Sequence, residues 1–157
     1  MAAPEQRAGN RSGFKWGAGG TLVVALAAGA YWFAARTEAP DLNDPVLIAA
    51  GRTAYAAYCA ECHGGNLEGE PNWRTPNADG SLTAPPHDAS GHTWHHPDRV
   101  LFEIMLEGGA AAAPPGFPSR MPAYAGTLAE REIWAVLAFI KSTWPDDIRA
   151  RQSRLGK

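Results

Sequence analysis

The stretch "AAYCAECHGG", residues 56–65, decides how the rest of the chain is read. It holds both cysteines of the 157-residue sequence, three positions apart, with His63 directly after the second. A thioredoxin-like dithiol at this spacing needs a strand before it in a βαβ setting, and no period-two pattern is visible. A structural zinc site needs two further ligands, which the downstream histidines leave open. A disulfide is permitted outside the cytoplasm but gives His63 no task.

The complete pattern Cys59-Ala60-Glu61-Cys62-His63 is far more specific, because CxxCH is the spacing at which a c-type haem is attached. Read so, Cys59 and Cys62 carry one covalent haem c through thioethers, and His63 takes the iron from the proximal side. A sixth ligand is then needed. Met105 falls in an apolar helical run and reads as core. Met121 falls in "GFPSRMPAYAG", 58 residues beyond His63, between Pro118 and Pro122. Prolines stiffen that backbone, which suits a sulfur that must not move during electron transfer. Met121 is therefore the expected distal ligand, with His95 or His96 as competitors that would give a lower-potential iron.

A second feature lies upstream. Residues 16–35 contain no charge, and 20 such residues match the hydrocarbon thickness of a bilayer. Trp16, Tyr31 and Trp32 sit where interfacial aromatics belong, and Arg7, Arg11 and Lys15 precede the run. The positive-inside rule keeps the N-terminus cytoplasmic and sends everything after Arg36 across. A cleaved signal peptide is the competing reading, but the run is long and its exit lacks a small-x-small site. The expected organisation is a basic segment 1–15, an anchor 16–35, a tether 36–44, a domain 45–145 and a basic tail 146–157. Export and covalent haem attachment call for the same compartment.

In the domain, Asp44 and Pro45 offer an N-cap and first helical residue for a helix running through "VLIAAGRTAYAAYCAEC". Gly51, Tyr55 and Cys59 share one face. Thr127 and Glu130 have capping-box spacing ahead of "EREIWAVLAFIKSTW", which Pro145 ends, and Trp134 is large enough to fill a notch at Gly51. A third helix is expected from Pro97 to Gly108. The intervening stretches, 64–96 and 109–126, are too long for idle loops but suit chain wrapped round a large planar group. The fold class is all-α.

His87, His92, His95 and His96 crowd into ten residues. Imidazoles suit a second metal, but capping or carboxylate-contact roles account for them with less. Trp73, Arg74 and Trp94 are candidates to cover the cofactor's edge and pair with its carboxylates.

With its Gly51/Tyr55 helix, "CAECHGG", "MPAY" loop and closing "EIWAVLAFIKSTWP" helix, the segment 45–145 resembles a class I c-type cytochrome. "NLEGEPNW" and "APPHDASGHTWHHPDRVLFEIMLEG" resemble a bacterial subgroup of small membrane-anchored monohaem members. The resemblance implies first and last helices crossing near the haem, here at Gly51 and Trp134. It also implies a proline carbonyl behind the proximal histidine, for which Pro71 is the match. The expected function is a periplasmic one-electron carrier on the bacterial inner membrane, passing electrons from a quinol-oxidising complex or dehydrogenase to a terminal oxidase or other acceptor. A fixed subunit of an oxidoreductase complex is the alternative, and a ligand sensor or peroxidase with a labile distal ligand a further one. The part from Arg36 onward carries 15 acidic and 11 basic residues, which does not suit nucleic acid. No nucleophile–base arrangement stands out, so catalysis is not expected.

Overall fold

The structure, a computed structural model, describes residues 39–155. The expected span 16–35 and its basic flank lie outside the described residues. Among the described residues no helix is long and apolar enough to cross a membrane.

Helix α1 runs Pro45–Tyr58, and the Asp44 carboxylate accepts the free Val46 N–H at 2.9 Å. Its inward face is Leu47, Gly51 and Tyr55. At Cys59 the backbone departs from the helical path, and a four-residue turn of helix, α2 (Ala60–His63), carries the chain on. The bonds Cys59 N–H to Tyr55 O and His63 N–H to Cys59 O, both 2.9 Å, keep the two pieces nearly continuous. The cysteine pair thus straddles a joint between helices.

Helix α3 is Asp98–Glu107, preceded by Pro97 and stopped at Gly108. Helix α4 is Glu130–Ser142, with Thr143 as its cap, so it ends before Pro145. Its start differs from the Thr127/Glu130 expectation. Thr127 and Leu128 both donate to Tyr124 O in a preceding turn, so the helix begins later, and Glu132 accepts the Ala129 N–H at 2.8 Å. Every residue of α4 from Ile133 to Ile140 is buried. A helix apolar on all sides must be packed on all sides, and α4 is, with α1 across one face and α3 across another.

The α1–α4 crossing sits at Gly51 as expected, but Trp134 is not what fills it. A Cβ on Gly51 would lie 1.8 Å from the Ala135 carbonyl oxygen and 3.0 Å from the Phe139 Cβ. The notch admits backbone, which requires a small residue opposite rather than a large one. Trp134 instead stacks on Phe102 of α3, centroids 4.5 Å apart.

The expected tail begins as helix α5, Asp146–Gln152, with acids in its first turn and Arg149 and Arg151 in its last, which suits the helix dipole. Gln152 is buried and donates to His96 O (3.1 Å) and Asp98 Oδ1 (2.6 Å), while Asp98 also receives Lys141 Nζ at 2.6 Å. This joins α5, α4 and the start of α3. Between the helices the long loops hold one 3-10 turn, Thr93–His95, and among the described residues no strand.

Candidate cofactor site

The helices and loops enclose a cavity of about 500 Å³. Cys59, Cys62, His63 and Met121 all line it, so the four residues that the sequence singles out for one group come together. Its apolar wall is built from α3 and α4, through Leu101, Ile104, Met105, Val136, Leu137 and Ile140.

His63 is buried at the end of α2, and its Nδ1 lies 2.8 Å from the Pro85 carbonyl. A carbonyl only accepts, so Nδ1 carries the proton and Nε2 keeps its lone pair. Burial lowers the His63 pKa, and the Pro85 bond opposes that shift. The neutral, donor-ready imidazole results. Pro71 was the expected partner. The chain instead folds back after Gly80, and the carbonyl that reaches the ring belongs to Pro85. Behind the ring, Tyr55 Oη donates to the carbonyls of His63 (3.3 Å) and Gly64 (3.0 Å).

Burial pushes the Cys59 thiol up to about 11, with Cys62 beside it adding to the shift. That is opposite to a dithiol redox centre, whose attacking cysteine is lowered. The zinc reading also finds no support, because among the described residues no three His, Cys, Asp or Glu side chains are grouped to hold a metal ion.

Met121 is partly buried in irregular chain. Its carbonyl accepts the Gly109 N–H at 3.2 Å and its N–H faces Ser119 Oγ at 3.3 Å. A Cβ on Gly109 would meet Ser119 Oγ at 2.3 Å. Two further bonds, Tyr124 N–H to Met105 O and Ala125 N–H to Leu106 O, fasten the loop to the end of α3.

The four histidines separate. His87 lines the cavity and stacks on His63, centroids 4.0 Å apart. His92 and His96 also line it, edge to face at 5.5 Å, whereas His95 stacks on Trp94. Trp73, Arg74 and Trp94 are not in the cavity wall. Trp73 stacks on His92 and also carries Arg74 over its ring, and Trp94 is covered by His95 and Arg151. Thr93, next to Trp94 in sequence, lines the cavity while Trp94 does not. Sequence reasoning missed His87 and Arg120 as wall residues, together with Thr83, whose buried hydroxyl has no partner.

These features fit a large, flat, mostly apolar group bearing carboxylates. Two thiols and an imidazole lie at one side, a thioether lines the wall, and Thr83, His92, His96 and Arg120 offer donors. The site is that of a helical protein holding a covalently attached haem. Residues 48–144 match the family Cytochrome c, and the chain belongs to it. As a class I c-type cytochrome it is a haem electron-transfer protein. In structure it is similar to cytochrome cL from the marine methylotrophic bacterium Methylophaga aminisulfidivorans, at TM-score 0.46 and 22% identity, over 90% of this chain and 78% of that one. Among proteins of curated function none matches it in sequence.

Proposed function

We propose that this chain is a membrane-tethered one-electron carrier of the periplasmic face, with a single haem c held by Cys59 and Cys62 and ligated by His63 and Met121. The observation that carries it is the convergence of those four side chains on one apolar-walled cavity, with the His63 Nε2 left free by the Pro85 bond. Bound there, the haem supplies one-electron chemistry at its iron. The chain does the rest. Tyr55 bonds the His63 and Gly64 carbonyls and Pro85 bonds the ring Nδ1, which steadies the backbone and one edge of the imidazole. The α3–α4 wall presents an apolar surface to the cavity, and the Gly109 N–H bond to the Met121 carbonyl pins the Met121 backbone. Thr83, His92, His96 and Arg120 would receive the carboxylates.

Tethering rests on the uncharged run 16–35 and its basic flank. An anchor raises the carrier's local concentration at membrane-bound donors and acceptors. The test is visible absorption of protein matured in membranes, oxidised and reduced, with and without carbon monoxide. A far-red sulfur–iron band with little carbon monoxide binding supports the carrier. A high-spin or readily carbon-monoxide-bound iron overturns the Met121 assignment and favours a sensor or peroxidase. Mild extraction separates a shuttle, which is lost from its partners, from a fixed subunit, which co-purifies at constant stoichiometry.

A further inference from the structure

The Pro85 bond fixes the His63 ring at one atom only. A ring held at a single nitrogen keeps a rocking freedom about its Cβ–Cγ bond, limited by what touches its faces. One face is covered by His87, whose ring lies 4.0 Å away and tilted by 21°. His87 is itself held from several sides. Its N–H donates to Leu67 O at 2.8 Å, and its carbonyl receives Trp144 Nε1 at 2.7 Å from the end of α4. Its ring Nδ1 sits 2.9 Å from Thr93 Oγ1, and the Thr93 hydroxyl in turn faces Pro86 O at 3.4 Å. The edge of Tyr55 approaches from a third side, 6.3 Å between centroids. The loop carrying His87 is closely packed on itself, since a Cβ at Gly91 would lie 2.0 Å from the Pro86 carbonyl. Nothing in this arrangement uses His87 as a ligand, since its ring runs alongside that of His63 rather than across the cavity.

We infer that His87 is a positioning residue which, by stacking on His63, sets the plane of the proximal imidazole. This deepens the proposed function and rests on its assignment of His63 to the iron. Outer contacts of a metal-bound histidine fix its orientation and tune the metal. Here the contact is a ring face, in addition to the usual bond at the far nitrogen. An aromatic ring at 87 should therefore serve where an aliphatic one should not, even though phenylalanine lacks the Thr93 hydrogen bond.

The experiment uses the full chain matured with haem, as wild type, His87→Phe, His87→Leu and Thr93→Val. The readouts are the spread and order of the haem-methyl proton resonances in the oxidised state, which report the axial ring plane, and the reduction potential. His87→Leu is expected to change the methyl pattern and displace the potential. His87→Phe should stay near wild type, and Thr93→Val should shift the pattern in the direction of His87→Leu by less. A wild-type, histidine-ligated spectrum left unmoved in His87→Leu overturns the inference alone. Equal changes in His87→Phe and His87→Leu also overturn it, because hydrogen bonding rather than stacking would then be the cause. A wild type without histidine ligation removes the functional reading and this inference together, so the two failures are told apart by the wild-type spectrum. Should His87→Leu fail to mature, His87→Phe against Thr93→Val decides: a large shift in the first with none in the second is fatal to stacking.

Discussion

His63 and Met121 face one cavity but are held by different kinds of chain. His63 ends the short helix α2, which hydrogen bonds across Cys59 join to α1, and α1 is locked to α4 at the Gly51 notch. Its ring, its carbonyl and the next carbonyl each have a partner from elsewhere in the fold. Met121 stands in a loop whose order comes from two prolines, a glycine turn and a few backbone bonds to the end of α3. The proximal wall is therefore part of the core, whereas the Met121 wall is attached to it. A local opening of the second costs less than any opening of the first, because fewer buried contacts go with it.

The strongest way to break that contrast is at the notch. Gly51→Ala drives a methyl into the Ala135 carbonyl, and such overpacking costs about 3 kcal/mol. Thermal unfolding should show a fall in Tm of roughly 10 °C. A change of only a degree or two would mean α1 is not locked to α4 as described. Next, Tyr55→Phe leaves the carbonyls of His63 and Gly64 without their donor, a loss of about 1–2 kcal/mol. Denaturant titration should record it with an unchanged m-value.

Met121→Ala sharpens the contrast from the other side. It should admit carbon monoxide to the reduced iron while leaving the far-UV helical signal nearly intact, and the loss of that signal would place Met121 in the core after all. The smallest effect concerns pH. Burial, followed by the charges of His96, His95 and Arg74, lowers the His92 pKa below its ordinary 6.5. The unfolded chain then takes up the proton more readily than the folded one, so the stability His92 contributes is present above pH 6.5 and is lost as pH falls. In Tm measured from pH 7.5 to 5, His92→Gln should decline slightly less than wild type, the difference being small because the group is only partly buried.

Much of the proximal wall was legible because its signals are local. Asp44-Pro45 starts a helix, Gly51 and Tyr55 recur on one face, and CxxCH carries its own spacing. The place of Met121 in the cavity wall was legible for a similar reason, the residue being flanked by prolines just before an amphipathic run. What could not be read depends on where a long loop returns. Pro71 and Pro85 each offer a carbonyl acceptor in one dimension, and only the fold-back after Gly80 selects the second. Trp73 meets His92 only through the fold and Trp94 stacks on its neighbour His95, so nothing in one dimension shows that these contacts leave Trp73, Arg74 and Trp94 outside the cavity wall. Trp134 and Ala135 are neighbours on α4 pointing in different directions, and the size of the tryptophan drew the reading when the alanine's backbone made the contact. Helix α5 was hidden by counting charges instead of placing them, since Asp146 and Asp147 ahead of Arg149 and Arg151 already have the order that a helix favours.

The Gly51 notch also has a genetic consequence. Every amino acid reachable from a glycine codon by one base change carries a Cβ, and here any Cβ meets the Ala135 carbonyl. The crossing of α1 and α4 therefore has no gentle neighbours in sequence space. The residue at 51 can be replaced only if α4 shifts in the same event.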